Sequence, residues 1–269
     1  TAVTSRIPWR KDDVQYLKNA VYFDIIESID AVIDINGNPL TSTVHGEIEC
    51  KCHLSGVPDM SLTLKHNPII DNLSLHRCVR LARYHRDRVI SFVPPDGNFT
   101  LCRFKIDSGI HIPIYLRPDF IWTKDRCTFT ISLGQKIDVT KLPLQDITVI
   151  IPIPEACSAT VTHTNIGTVR TDQLTHTCRW EIPAMPKDHS SLKNNKFPTK
   201  ITTTNPTIMG VFTLTRDIPA DERPTLRVLY NVTKYSPTHT SIDGLVVHGV
   251  AYQPVRGVRN ICKAGRFQV

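Results

Sequence analysis

Residue types that commonly do chemistry are scattered along this chain of 269 residues. Its eight cysteines include no Cys-x-x-Cys pair, and its eleven histidines are dispersed. The sequence has no His-Glu-x-x-His motif, nucleophile elbow, phosphate-binding loop or paired-carboxylate motif. These observations argue against an enzyme, and they predict no catalytic residue, no cofactor and no metal site.

The alternation of apolar and polar residues is clearest from Glu47 to Leu54. In a strand, this pattern directs Cys50 and Cys52 to the core and Lys51 to the opposite face, where it meets water or a ligand. A metal site at the two cysteines is therefore disfavoured. Most other cysteines also lie in apolar, strand-like surroundings, which predicts buried, reduced thiols. The alternative is a secreted β-sandwich with disulfides, which a titration finding eight free thiols would exclude.

The chain is basic, with a net charge of +7 and a pI near 9.0. This balance favours an acidic partner: nucleic acid, an anionic membrane leaflet or an acidic peptide. Nucleic acid is disfavoured, because only 7% of the residues are aromatic and no RNP-like run or zinc-finger spacing occurs. Five arginines lie within twelve residues, and we interpret them in part as an exposed strand face: Arg77, Arg80, Arg83, Arg86 and Arg88.

Short β-branched runs separated by turn residues predict an all-β chain. No window has a sustained 3.6-residue period, so we expect little helix. Asn36–Pro39 is typical of a hairpin turn, and Ser55–Pro58 ends the strand that follows it. The predicted strands are Val21–Ile26, Ala31–Ile35, Thr43–Leu54, Ser61–Leu64, Val89–Val93, Phe99–Ile106, Thr128–Leu133, Ile147–Ile151, Val211–Leu214, Leu226–Val232 and Leu245–Tyr252.

The tetrapeptide Pro94-Pro95-Asp96-Gly97, which follows an apolar run, predicts a hairpin. The prolines lack amide donors and end the strand, while Asp-Gly favours the positive φ of a tight turn. The whole segment Ser91–Phe99 resembles the Ser-Phe-x-Pro-Pro-Asp-Gly-x-Phe motif of the mu homology domain, found in the medium chains of vesicle-coat adaptor complexes. Further matching segments occur in family order: Ile7–Arg10, Val21–Asp24, Leu54–Pro58, Gly257–Arg259 and Lys263–Val269.

Lys263–Val269 and Gly257 most resemble the medium chain of the third adaptor complex, which sorts cargo to the lysosome or vacuole. The resemblance implies an elongated, all-β mu homology domain with two β-sandwich-like subdomains, the second inserted into the first. Composition changes near 117–118 and 222–224 place the subdomains at 1–117 with 225–269, and at 118–224. Because the chain starts at Thr1 without Met, we expect it to be a fragment.

The family recognises tyrosine sorting signals, Tyr-x-x-apolar, as extended peptides laid beside an edge strand. By resemblance, Asp24 accepts the hydroxyl of the signal tyrosine, and Tyr22 forms an aromatic wall of its pocket. Lys51 and Arg259 match the basic residues that complete the contacts. A charged acceptor contributes about 1.5 to 3 kcal/mol, so its loss should weaken binding roughly ten- to a hundredfold. A strand-edge carboxylate paired with lysine is the alternative interpretation of Asp24.

A second pocket takes the apolar residue three places after the tyrosine. By resemblance its lining residues are Phe23, Val258, Ile242 and Leu245, the last two of which are equally consistent with simple core positions. Burying a leucine there contributes about 1.5 to 3 kcal/mol. Backbone pairing with the strand around residues 256–259 would set the peptide's register.

One departure from the family pattern concerns the tyrosine pocket. Well-studied members carry tryptophan where this chain has Gly257. The missing ring should remove about 0.5 to 1.5 kcal/mol of aromatic contact. We therefore expect micromolar or weaker affinity, with compensation from peptide context or from avidity on a membrane.

The expected partners are the cytosolic tails of membrane cargo, two large chains and one small chain of a heterotetrameric adaptor, and an anionic phosphoinositide membrane. The expected location is cytoplasmic and peripheral, on Golgi and endosomal membranes and coated vesicles. The arginine run is assigned equally to membrane contact, to structural ion pairing or to a subunit interface. The functional alternative is a scaffold or membrane-contact domain that does not use the tyrosine pocket.

Overall fold

Nearly all of the regular structure is β. The computed structural model describes residues 7–65, 73–138, 141–142, 144–186 and 205–269. Within these ranges it contains sixteen strands, one α-helix and one 3-10 helix. The predicted all-β class with little helix is confirmed. No helix among the described residues is long and apolar enough to cross a membrane.

The chain forms two compact units. One consists of Thr1–Ser28, Thr43–Ile110 and Lys234–Cys262. The other consists of Ile29–Ser42, His111–Thr233 and Lys263–Val269. The division expected from the sequence, 1–117 with 225–269 and an inserted 118–224, stays a prediction.

The first unit contains all or part of nine elements. They are β1 (Ala20–Ile33), β2 (Pro39–His53), β3 (Asp59–Lys65), β4 (Ser74–Leu75), α1 (Leu81–Asp87), β5 (Ile90–Phe92), β6 (Gly97–Ile106), β15 (Ser241–His248) and β16 (Val255–Gln268). Its strands lie in two sheets, ordered β16-β1-β2-β6-β4 and β15-β3-β5. The adjacent strands β16, β1 and β2 carry the residues that the resemblance assigns to tyrosine recognition.

The β2 strand shows the predicted alternation. It runs antiparallel to β6, with Ile48 opposite Cys102. The side chains of Ile48, Cys50 and Cys52 are fully buried, whereas Lys51 is partly exposed on the other face. All eight cysteines lie within the described residues, and none forms a disulfide. The prediction of buried thiols is confirmed for seven of the eight.

The Pro94–Gly97 segment is a corner between two sheets, so the predicted hairpin is wrong. β5, before it, pairs with β3, whereas β6, after it, pairs with β2 and β4. The two prolines cannot donate to a ladder, so the chain leaves one sheet there and enters the other. Gly97 has the expected positive φ, 82°. The local turn chemistry was correctly predicted, but the pairing partner was not.

Arg10 holds this corner in place. Its side chain is buried, although it is charged. The guanidinium donates to the carbonyls of Leu54, of Gly56 at 2.6 Å and of Pro94 at 3.1 Å. A buried cation needs such acceptors to offset its desolvation. Arg10 therefore ties the turn after β2 to the corner before β6.

The arginine run includes a helix, so its interpretation as a strand face is wrong. α1 spans Leu81–Asp87 and buries only Tyr84 among its residues. It ends at Arg88, whose φ of 56° is left-handed. Seven residues make about two helical turns, and only one of these residues is buried, so no buried position recurs and no 3.6-residue period is detectable.

The second unit contains β7 (Ile114–Trp122), β8 (Arg126–Gln135), β9 (Leu144–Pro152), β10 (Cys157–Thr164), β11 (Thr168–Asp172), β12 (Thr177–Ala184), β13 (Thr207–Leu214), the 3-10 helix (Ala220–Glu222) and β14 (Arg227–Thr233). Its strands are ordered β11-β12-β9-β14 and β10-β13-β8-β7. Trp180 is fully buried, and the rings of Phe129 and Phe212 lie 4.8 Å apart. These aromatic side chains form part of its core.

Several strand limits differ from the predicted ones. The predicted Val21–Ile26 and Ala31–Ile35 are one continuous strand, β1, because the polar residues between them keep the strand alternation. The predicted Leu245–Tyr252 ends at His248, where Gly249 adopts a φ of 75°. The β-branched pattern did not predict β4, β7, β10 to β12 or β16, which are short or carry polar and exposed positions that weaken the β signal. Only the resemblance implied a strand around 256–259.

Replacing Arg10 with methionine should lower the free energy of unfolding by about 2 to 4 kcal/mol, because buried carbonyls lose their donor. Urea denaturation at pH 7 measures this change. The matched control is Arg216→Met, since Arg216 is exposed and pairs with Glu222 at the surface. The control should leave stability almost unchanged. Equal losses in the two variants would contradict the role assigned to Arg10.

Candidate functional site

β1 presents different residues on its two faces. Tyr22 is 39% exposed, and Asp24, two residues later, shares its face. Phe23, between them, points to the other face and is fully buried. One strand therefore carries Tyr22 and Asp24 on one face and buried apolar side chains on the other.

Asp24 lies at the centre of a charge cluster. Nε and Nη2 of Arg259 donate to its two carboxylate oxygens, with 2.7 Å between Nη2 and Oδ2. Nζ of Lys51 lies 3.5 Å from Oδ2. The Asp24 side chain is 6% exposed, whereas that of Arg259 is 60% exposed. The structure thus brings together the acid and the two cations predicted from the sequence.

These cations keep Asp24 ionised. The hydrogen bond from Arg259 is the main cause that lowers the pKa of Asp24, against the opposing effect of burial. Two carboxylate oxygens offer about four lone-pair sites, so capacity remains beside the two Arg259 bonds and the Lys51 contact. The site can accept a hydrogen bond from a neutral hydroxyl. A second anion such as phosphate would be repelled by the carboxylate.

Gly257 lies directly against the ring of Tyr22. A Cβ added at Gly257 would be 2.6 Å from Cδ1 of Tyr22, closer than such atoms approach one another. The glycine therefore gives space to the tyrosine ring. In this chain the aromatic surface beside Asp24 comes from β1, not from a large side chain on β16.

One cleft collects seven of the nine residues predicted to contact a peptide. Its volume is about 290 Å³. Its lining residues are Tyr22, Phe23, Asp24, Lys51, Gly257, Val258 and Arg259. Val258 is 45% exposed, so an apolar side chain is accessible beside the charge cluster.

The other two predicted residues, Ile242 and Leu245, lie on β15 and do not line this cleft. Both are partly exposed and pair with β3. The Leu245 carbonyl accepts a hydrogen bond from Nη1 of Arg256 at 2.8 Å. This hydrogen bond brings β15 within reach of the Arg256 side chain on β16.

The start of β16 extends beyond its neighbour β14. The backbones of Leu226 and Val269 exchange hydrogen bonds, and the Lys234 amide donates to the Asn260 carbonyl. These bonds define an antiparallel register that runs down to Asn260. β14 ends one residue before Lys234. The backbone edge at 255–259 therefore lies past the end of β14, next to the cleft.

The five arginines of the basic run are only partly paired. Arg80 donates to both oxygens of Asp59, at 2.7 and 3.1 Å. Arg86 and Arg83 both approach Asp87, at 2.8 and 4.0 Å. Within the described part of the chain, these five arginines meet two aspartates, which leaves three positive charges in excess. The run thus combines structural ion pairs with a net basic surface that includes Arg77 and Arg88.

Sequence reasoning missed Arg256 and the buried Glu27. Arg256 had no signal, since an arginine near a strand end is typical of a solvated surface. Glu27 did have a signal in the sequence, because it continues the series of Phe23 and Ile25 on the core face of β1. A charged residue in that register marks an unusual core position.

The sequence is similar to those of known adaptor subunits. The chain is 33% identical over 268 residues to the AP-3 complex subunit mu of Dictyostelium discoideum, covering 98% of this chain and 60% of that protein. It is 31% identical over 275 residues to the AP-3 complex subunit mu-1 of Homo sapiens, covering 100% of this chain and 62% of that protein. The chain thus spans about three-fifths of the length of these relatives. The predicted likeness to the third adaptor complex is confirmed.

The fold of this chain is similar to that of a solved mu-homology domain. The yeast delta-COP-I mu-homology domain superposes with a TM-score of 0.66 at 15% identity, covering 95% of this chain and 100% of that one. The profile described as the adaptor complexes medium subunit family matches residues 7–269. The chain therefore belongs to the adaptor complexes medium subunit family, and its fold is that of a mu homology domain.

Proposed function

We propose that this chain is the cargo-recognition domain of a vesicle-coat adaptor. It binds tyrosine-based signals, Tyr-x-x-apolar, in the cytosolic tails of membrane proteins. These proteins travel from the Golgi apparatus or endosomes to the lysosome or vacuole. The domain acts by binding and not by catalysis, in a heterotetramer with two large chains and a small chain, at the cytoplasmic surface of the membrane.

The observation that carries this proposal is the cluster of Asp24, Arg259 and Lys51 beside Tyr22. The ionised carboxylate accepts the phenol hydroxyl of the guest, and the aromatic ring packs against the guest ring. The cations neutralise the carboxylate without removing its acceptor capacity. This combination suits a neutral hydroxyl on a flat apolar ring, which is the chemistry of tyrosine.

The adjoining strand edge supports an extended guest. A peptide beside residues 255–259 can pair with the β16 backbone, because β14 stops short of that stretch. Successive residues of an extended strand alternate faces, so positions three apart point to opposite faces. A signal tyrosine can therefore face Asp24 while the apolar residue three places later meets the face of Val258.

Replacing Asp24 with serine should weaken binding of a Tyr-x-x-Leu peptide roughly ten- to a hundredfold. The wild-type chain should also reject the Tyr→Ala and phosphotyrosine versions, the latter through repulsion by Asp24. Isothermal titration calorimetry of each pair measures these affinities. The matched control is Glu47→Ser, which removes a carboxylate paired with Arg103 outside the cleft. Equal binding of all peptides by all variants would leave only the scaffold alternative.

Replacing Gly257 with alanine should weaken peptide binding about three- to tenfold, because the new Cβ displaces the Tyr22 ring from the wall of the pocket. A double-mutant cycle with Tyr22→Ala measures the coupling. In the Tyr22→Ala background, Gly257→Ala should have little further effect on peptide affinity. Additive effects of the two substitutions would show that Tyr22 is not the wall that Gly257 accommodates.

We further propose that the basic run contacts anionic phosphoinositide membranes through its excess charge. Replacing both Arg77 and Arg88 with serine should lower vesicle binding about thirtyfold, since each basic residue near such a surface contributes about 1 kcal/mol. Sedimentation with phosphoinositide vesicles measures this binding, and high salt should abolish it. The charge-matched control is Arg126→Ser with Arg170→Ser. Equal losses in both double variants would indicate non-specific attraction.

A further inference from the structure

Two side chains of β16 connect it to β15. Nδ2 of Asn260 donates to the Thr240 carbonyl at 2.8 Å, and Nη1 of Arg256 donates to the Leu245 carbonyl at 2.8 Å. These bonds join β16 to Thr240, the residue before β15, and to Leu245 within β15.

Glu27 anchors the segment before β15. The Glu27 side chain is fully buried and accepts a hydrogen bond from the Thr238 hydroxyl. The Thr238 and Thr240 hydroxyls lie 2.7 Å apart, and the Thr240 carbonyl in turn accepts from Asn260. A continuous chain of hydrogen bonds thus joins β1, the segment before β15, and β16.

A buried carboxyl is a costly way to fill core space. Burial raises the pKa of Glu27, and the neighbouring Tyr235 and Cys262 also have raised pKa values. An apolar side chain of similar size would avoid this desolvation. It could not, however, accept the Thr238 hydroxyl. The distinctive effect of Glu27 is thus to fix the segment from which β15 begins.

We propose that Glu27 is a positioning residue for the apolar end of the guest peptide. By tying the segment before β15 to β16, it sets the distance between Val258 on β16 and the apolar residues Ile242 and Leu245 on β15. This distance decides which apolar side chain fits three places after the tyrosine. The proposal rests on the proposed function and adds a determinant of selectivity within the same site.

The test separates the two ends of the signal. Affinities of Tyr-x-x-Leu, Tyr-x-x-Ala and Phe-x-x-Leu peptides are measured for the 269-residue wild-type chain and for Glu27→Met and Thr238→Val. The preference for Leu over Ala should fall about three- to tenfold in both variants, because each removes the same hydrogen bond. The preference for Tyr over Phe should stay unchanged. Glu27→Gln, which keeps an acceptor for Thr238, should restore the Leu preference.

A core control distinguishes positioning from general destabilisation. Ile48→Val lies in the core on β2, outside the hydrogen-bond chain. It should leave both preferences intact. An unchanged Leu preference in Glu27→Met, or a parallel fall in both preferences, would overturn this inference alone. If the wild-type chain discriminates none of the peptides, the proposed function fails and this inference fails with it.

Discussion

The ion pair between Asp24 and Arg259 is the interaction on which the site depends. A carboxylate that is 6% exposed would normally favour its neutral form, but Arg259 and Lys51 reverse that preference. Both cations remain partly in water, so they avoid most of the desolvation cost of a fully buried pair. The result is an ionised acceptor at the surface of a sheet, with room for one more donor.

The alternation of side chains along β1 determines which residues surround this ion pair. β1 carries Tyr22 and Asp24 on one face, and Phe23 and Glu27 on the other. A shift of one residue in the pairing of β1 would exchange these faces. The hairpin turn after β1, with Asp34 accepting from the Asn36 and Asn38 amides, fixes the register with β2. The position of the site is therefore a direct consequence of sheet register.

Local patterns predicted the features that depend on local chemistry. Alternation alone placed Lys51 opposite the buried Cys50 and Cys52, and Gly97 adopts the positive φ that the Asp-Gly turn requires. The association of Asp24 with Lys51 and Arg259 came from the family resemblance, because residues 235 apart in sequence leave no local trace of their contact. Distant pairings are set by the whole fold.

The features that the sequence did not predict correctly have two kinds of cause. The Pro94–Gly97 corner has the composition of a hairpin, and only the partners of β5 and β6 distinguish the two. The short helix α1 has one buried side chain, too few to produce a period. The structural role of Glu27 depends on its hydrogen bond with Thr238, which is 211 residues away in sequence. For the corner and for Glu27 the deciding contact is non-local, whereas α1 is too short to produce a local signal.

The most direct test of the central claim is a crystal structure of the chain with a bound Tyr-x-x-Leu peptide. The account predicts the phenol oxygen of the peptide at about 2.7 Å from a carboxylate oxygen of Asp24. It also predicts backbone pairing between the peptide and residues 255–259. A peptide bound elsewhere, or a phenol that does not reach Asp24, would contradict it.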